Sequence, residues 1–290
     1  MSKSMPFPAQ RLVDFVIGGT QKGGTTALDA CLREHPEICM ADKSDFFSAT
    51  AHPETSAAGK KEVHFFDNED HFVNGNPDYS RYHRRFDPEK SHKVLGEATP
   101  SYMYWNDAPR RIWEYNPRMK FILLLRDPSE RAYSHWNMER IKGTDKLPFW
   151  DAIRNEKERC REALPLQHRV YSYISRGLYT EQLHRLWAYF PKDRVLCLKS
   201  EDLKEGLDAA LSRICEFLQV GQCKRVTSKN VHSLPYETGM TERERDYLRR
   251  IFEPEIAKLE QELNWNCSDW LSTSITPLPS ANPSPHRSAG

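Results

Sequence analysis

No apolar run in this chain approaches the ~18 residues needed to cross a bilayer, and Met1 to Arg11 lack the apolar core of a signal peptide. A cytoplasmic protein without a membrane span is therefore expected. Net charge is also nearly absent: 42 Lys and Arg against 41 Asp and Glu leave +1. That balance excludes a nucleic-acid binder working through a global basic field, and it leaves room for a local basic pocket. The seven cysteines contain no CxxC pair and no His neighbour at metal-ligand spacing, so buried reduced thiols are expected. There is no internal repeat and no clear boundary between two domains. What is present, 290 residues with 38% hydrophobic and 29% charged, suffices for one large packed α/β domain.

Apolar patterning supplies the elements. Val13-Asp14-Phe15-Val16-Ile17 reads as a buried strand running into Gly18-Gly19, and Thr25 to Arg33 as the helix after it, stopped by His35-Pro36. Residues 41–60 are small and polar and read as a surface insertion. Glu62-Val63-His64-Phe65-Phe66 is a short strand candidate. Asp107 to Tyr115 reads as a helix. Phe121-Ile122-Leu123-Leu124-Leu125 is continuous rather than alternating, which suits a central parallel strand covered on both faces, and Ser129 to Ile141 is the helix that follows. Further on come a helix at Thr180–Tyr189, a strand at Val195–Leu198 and a helix at Ala209–Leu218. Glu242 to Leu263 forms a charged helix with an apolar stripe at Leu248, Ile251, Phe252, Ile256, Leu259 and Leu263. The alternation predicts an α/β fold with a doubly wound parallel sheet over residues 12–271. A flexible N-terminus (1–11) and a Ser/Pro-rich disordered tail (272–290) would flank it.

Two segments suit anions. Gly18-Gly19-Thr20-Gln21-Lys22-Gly23-Gly24-Thr25-Thr26 joins a strand to a helix start. Glycines permit backbone turns that aim successive N–H groups inward, the helix N-terminus adds partial positive charge, and Lys22 adds a full one. This is not the triphosphatase loop, in which Lys directly precedes Ser or Thr. The second segment, Arg126-Asp127-Pro128-Ser129-Glu130-Arg131-Ala132-Tyr133-Ser134, starts where the apolar strand ends, the place where open α/β sheets bind ligands. A guanidinium fork there suits a phosphomonoester, and pairing of Arg126 with Asp127 or Glu130 is the structural alternative. Together the two sites suggest one ligand with phosphates at both ends.

These residues resemble the sulfotransferases that use 3′-phosphoadenosine 5′-phosphosulfate (PAPS), above all the heparan-sulfate 3-O-sulfotransferases and the N-deacetylase/N-sulfotransferases. Three ordered motifs carry the resemblance: Gly19 to Leu28, Lys61-Glu62-Val63-His64-Phe65-Phe66-Asp67, and Leu123 to Ser134, with weaker echoes at Glu97 to Tyr102 and Arg176-Gly177-Leu178-Tyr179. The resemblance implies PAPS as sulfuryl donor, with Gln21, Lys22, Gly23, Gly24, Thr25 and Thr26 on the 5′-phosphosulfate, Arg126 and Ser134 on the 3′-phosphate, and Tyr179 bordering the nucleotide. It implies Glu62 as general base, with Lys22 on the leaving oxygen and His64 as orienter. No metal is called for, since cationic side chains and backbone donors meet the phosphates.

The acceptor implied is the hydroxyl or amine of a small metabolite or carbohydrate. Members of the 3-O type carry a lysine where this chain has Ala98, and a cysteine-bridged loop that has no counterpart here. Both differences set the expected acceptor apart from heparan. A P-loop-type kinase using a nucleoside triphosphate is the alternative.

Overall fold

The computed structural model describes residues 11–42, 62–223 and 238–271. Most of the expected surface insertion and all of the expected disordered tail lie outside these residues. Five strands, β1 (Phe15–Gly19), β2 (Ile38–Met40), β3 (Val94–Ala98), β4 (Lys120–Leu125) and β5 (Val195–Lys199), form one parallel sheet in the order β2-β3-β1-β4-β5. The helices are α1 (Thr25–Arg33), α2 (Tyr79–His83), α3 (Ala108–Tyr115), α4 (Pro128–Ile141), α5 (Phe149–Arg154), α6 (Glu156–Arg159), α7 (Tyr179–Trp187), α8 (Ser200–Glu205), α9 (Leu207–Leu218), α10 (Glu242–Leu263) and α11 (Ser268–Leu271).

The continuous apolar strands are buried on both faces, as a doubly covered sheet requires. Because side chains alternate across a strand, each central strand feeds two cores. Val16, Phe121, Leu123 and Leu125 pack with Ile112, Ala132, Leu183 and Phe252 on one face. Phe15, Ile17, Ile122 and Leu124 pack with Leu28, Leu32, Leu211 and Ile214 on the other. Along α10, the predicted stripe is buried at Leu248, Phe252, Ile256 and Leu259, and its start is held by a reciprocal cap between Thr241 and Glu244. No helix among the described residues is long and apolar enough to cross a membrane.

The sheet order determines where a ligand can sit. After β1 the chain runs outward to β2 and returns to β3; after β3 it crosses to the other side of β1 and continues through β4 to β5. The order therefore reverses between β1 and β4, and the crevice at such a switch point opens beyond the carboxyl ends of the strands. Gly19 pairs with Leu123 there, one residue before the Thr20 turn.

Two short strands, β2 and β3, were not read from the sequence, because three apolar residues or a Gly- and Glu-containing run carry little periodic signal. Conversely, the strand expected at Glu62–Phe66 does not form. Residues 62–64 have no regular structure, and His64 adopts a left-handed conformation (φ 50°). The backbone N–H groups of this segment are taken by side chains instead of a ladder: Val63 N–H donates to Thr99 Oγ1 (3.0 Å) and Phe65 N–H to the Tyr102 hydroxyl (3.1 Å).

Gly96 of β3 tests the packing directly, since a Cβ there would lie 2.1 Å from the Phe15 ring. Gly96→Ala is expected to lower stability by about 1–3 kcal/mol through overpacking. Thermal or urea unfolding measures it, and an unchanged midpoint would contradict the packing described.

Candidate active site

The loop after β1 turns because Lys22 (φ 72°) and Gly24 (φ 97°) are both left-handed, a conformation that glycine adopts freely and lysine does not. Gly23 sits against the backbone of β4: a Cβ there would lie 2.3 Å from the Leu124 carbonyl oxygen. Thr20 N–H donates to that same oxygen (3.1 Å) and Gly23 N–H to the Thr20 carbonyl (2.8 Å). From the start of α8, just past β5, Ser200 Oγ donates to the Gly23 carbonyl (2.5 Å). The loop is thus fastened to β4 and to the residue that follows β5, and leads into α1 at Thr25. Thr25 is buried, Gly24 and Thr26 are exposed, and Lys22 is half-buried. Gln21 Oε1 is buried without a hydrogen-bond partner among the described residues.

Arg126 leaves the end of β4 and its Nη1 donates to the Lys22 carbonyl at 3.3 Å. The two anion segments read from the sequence therefore meet in one place. The structural alternative for Arg126 is realised in part, by a 3.6 Å ion pair with Glu130, which also pairs with Arg245 at 3.0 Å. Asp127 caps α4, accepting from the N–H groups of Ser129 (2.8 Å) and Glu130 (3.4 Å). Ser134 is buried on α4. Tyr179 is buried as well, and its hydroxyl donates to the Arg126 carbonyl (2.8 Å), bracing the strand end from behind.

Positive charge collects around this crevice. Arg131 and Arg176 are buried, and each retains guanidinium nitrogens without partners among the described residues. Burial above all pulls the Arg131 guanidinium down to about 10. His135, fully buried beside them, is held neutral first by burial and then by Arg131, Arg176 and Lys22.

Beyond the end of β3 stands a chain of three ionisable groups. His64 Nε2 lies 2.9 Å from Glu62 Oε2, and Nδ1 lies 2.9 Å from Asp67 Oδ2. Asp67 is fully buried and also accepts from Ser101 Oγ (2.6 Å) and Arg169 Nη1 (3.1 Å). Burial alone would lower the His64 pKa, but the Asp67 and Glu62 carboxylates outweigh it and raise the value to about 10. Burial likewise opposes the Asp67 carboxylate, and the His64 and Arg169 cations overcome that and hold it well below the usual range.

The platform under this chain is the motif at Glu97. Its buried carboxylate accepts from Thr99 Oγ1 (2.5 Å), Tyr102 OH (2.8 Å) and Tyr82 OH (3.0 Å), and burial lifts it to about 7 against those bonds. Thr99 and Tyr102 are the same groups that hold the backbone of residues 63–65.

Across the carboxyl edge the order is thus the Glu62 segment beyond β3, Lys22 beyond β1, Arg126 beyond β4 and Ser200 beyond β5. The profile of the sulfotransferase domain matches residues 12–249. The chain belongs to that family. A sulfotransferase from Alicyclobacillus acidocaldarius superposes with a TM-score of 0.70 at 24% identity, covering 90% of this chain and 99% of that one. In sequence, the chain is 29% identical to human heparan sulfate glucosamine 3-O-sulfotransferase 6 over 77% of its length, and 22% identical to the membrane-associated sulfotransferase kil1 of Dictyostelium discoideum over 87%. Human bifunctional heparan sulfate N-deacetylase/N-sulfotransferase 3 is 29% identical over 72% of this chain. The matches span 56%, 65% and 22% of those three relatives respectively.

Tyr102, Tyr104 and Trp105 are buried. Arg85 is buried and donates to the Asp42 carbonyl (2.6 Å). Lys43, Lys60 and Lys61 lie outside the described residues. The sequence reading assigned no role to Asp67, Ser101, Arg169 or Ser200. Asp67 at i+3 from His64 was the one signal available; the Ser200–Gly23 contact spans 177 residues and leaves no local trace.

The sign of the pH dependence follows from these shifts. The folded-state pKa of His64 lies above its ordinary 6.5, so its contribution to stability is complete below 6.5 and lost as pH rises through about 10. For Asp67 the contribution is present above its ordinary 3.8 and is lost as pH falls toward its lowered value. Imidazole NMR is expected to show His64 still protonated at pH 8 and titrating nearer neutrality in Asp67→Asn. A wild-type midpoint near 6.5 would contradict the arrangement.

Proposed function

We propose that this chain transfers a sulfuryl group from PAPS to a hydroxyl or amine of a small metabolite or carbohydrate. The observation that carries the reading is the hydrogen bond from Arg126 Nη1 to the Lys22 main-chain carbonyl at 3.3 Å: it brings the guanidinium at one strand end onto the lysine-bearing turn at the next, an arrangement that suits one bisphosphorylated nucleotide. Gln21, Gly23, Gly24, Thr25 and Thr26 line the turn and helix start that would receive the 5′-phosphosulfate through backbone and hydroxyl donors. Arg126, with Ser134 on the following helix, would take the 3′-phosphate, and Tyr179 holds Arg126 in place from below. The carbohydrate class is supported by the relatives named for heparan sulfate.

In an in-line displacement the acceptor oxygen or nitrogen forms a bond to sulfur while the bond from sulfur to the bridging oxygen breaks. The electron pair remains on that oxygen as the 5′-phosphate departs. Lys22 supplies positive charge where that negative charge gathers. The acceptor proton passes to Glu62. His64, pinned between Glu62 and Asp67, fixes the carboxylate's orientation; it acts as an orienter because both of its nitrogens are already engaged. As in phosphoryl transfer, the protein contributes position and electrostatics rather than covalent chemistry.

A triphosphate-dependent kinase fits less well, since Lys22 precedes paired glycines rather than Ser or Thr. Incubation with labelled PAPS and a panel of acceptors, repeated with ATP and magnesium, separates the two: transfer from ATP alone would reject the proposal. Lys22→Ala and Glu62→Gln are each expected to cut turnover at least ~10²-fold, the scale of losing a positioned charge or proton acceptor. Near-normal turnover in Glu62→Gln would remove the base from that residue.

A further inference from the structure

Away from the crevice, the fold assembles a group that no sequence spacing announces. His35, just past the end of α1, Cys215, near the end of α9, and Cys223, beyond that helix, place one ring nitrogen and both sulfurs within 4.8 Å of one another. Cys215 and His35 are buried, and Cys223 is partly open to solvent. The two thiols are hydrogen-bonded to each other. Glu37 N–H donates to His35 Nδ1 at 3.1 Å, which makes Nδ1 the lone-pair nitrogen and leaves Nε2–H to donate to the Gly221 carbonyl at 2.8 Å. Gly221 N–H in turn donates to Glu37 Oε2 (2.7 Å). In that tautomer the ring is oriented through a backbone carbonyl, as ligating histidines commonly are.

We propose that His35, Cys215 and Cys223 form a binding site for a thiophilic divalent cation of the zinc class. Two thiolates and an imidazole are a borderline-soft donor set that favours such ions over magnesium or calcium. With metal–sulfur bonds of about 2.3 Å and metal–nitrogen bonds of about 2.0 Å, tetrahedral ligands stand roughly 3.3–3.8 Å apart. The trio needs only a short contraction to reach that separation. Binding exchanges one of the two backbone hydrogen bonds of the imidazole for the cation, and each thiol releases one proton to solvent. The fourth position is left to water. Both thiols must be deprotonated to ligate, so affinity should fall as pH drops and protons compete for sulfur.

The site clips the end of α1, whose first residue adjoins the phosphate loop, to the end of α9. It lies apart from Glu62 and Arg126, and the cation takes no part in the reaction proposed above; the inference stands whether or not that reaction is correct.

The test uses the full chain, reduced, stripped with a chelator and titrated with cobalt(II) as a spectroscopic probe, followed by zinc in competition. The expected result is one ion per chain, with thiolate-to-metal absorption displaced by zinc and untouched by magnesium. Cys223→Ser, at the more open position, should weaken zinc binding at least ~10²-fold, the upper end of what loss of an outer-shell partner costs. It should leave the far-UV spectrum of the protein unchanged. Cys215→Ser should do the same, and Cys160→Ser, remote from the cluster, should not. Equal zinc affinity in wild type and Cys223→Ser would overturn the proposal, as would a cobalt complex with no thiolate absorption.

Discussion

Arg126 and the turn that carries Lys22 are held together where the strand order reverses, and most of what surrounds them exists to keep them there. Lys22 stands in a turn that only a strained backbone permits, and Arg126 reaches that turn's carbonyl from the next strand. Burial of guanidinium groups carries a desolvation cost. Arg131 and Arg176, buried near Arg126 with nitrogens that have no partner among the described residues, deepen the positive potential. A polyanion bound there would offset that cost. The parallel sheet supplies the rigid frame: β1 and β4 pair along their length, so the loops that follow them have little freedom to separate.

A second constraint acts one strand away. The Glu62 segment has no ladder of its own, and hydroxyls from Thr99 and Tyr102 satisfy its backbone. Those hydroxyls are in turn fixed by the buried Glu97 carboxylate. Registering Glu97 opposite Val16 thus sets the height of the Glu62–His64–Asp67 chain relative to the Lys22 loop. Met103 N–H, donating to the Gly18 carbonyl at 2.8 Å, ties the same turn to the end of β1. Position is transmitted from sheet register to the Glu62 segment through backbone and hydroxyl bonds.

Much of this was legible before the fold was known. The unbroken apolar runs at Phe15–Ile17 and Phe121–Leu125 announced central strands, and the glycines around Lys22 announced the turn between β1 and α1. That this turn and Arg126 lie together followed from reasoning about strand ends. What periodicity could not reveal were the short strands Ile38–Met40 and Val94–Ala98, and it misassigned Glu62–Phe66, whose apolar, β-prone composition is used in a turn stabilised by partners some 36 residues away. The Ser200 brace and the His35–Cys215–Cys223 group arise from pairings that span more than half of the chain. No local pattern encodes such contacts, because only the packed sheet and its covering helices bring those residues together.

The claim on which everything else rests is that Arg126 reads a phosphate at the far end of the nucleotide held by Lys22. Calorimetric titration of wild type and Arg126→Ala with 3′,5′-diphosphoadenosine and with adenosine 5′-monophosphate isolates that contact. Wild type should prefer the bisphosphate by about 10–10²-fold, the value of a charge-assisted hydrogen-bonded pair, and Arg126→Ala should lose that preference while binding the monophosphate as before. A variant that weakens both nucleotides equally, or neither, would contradict the account.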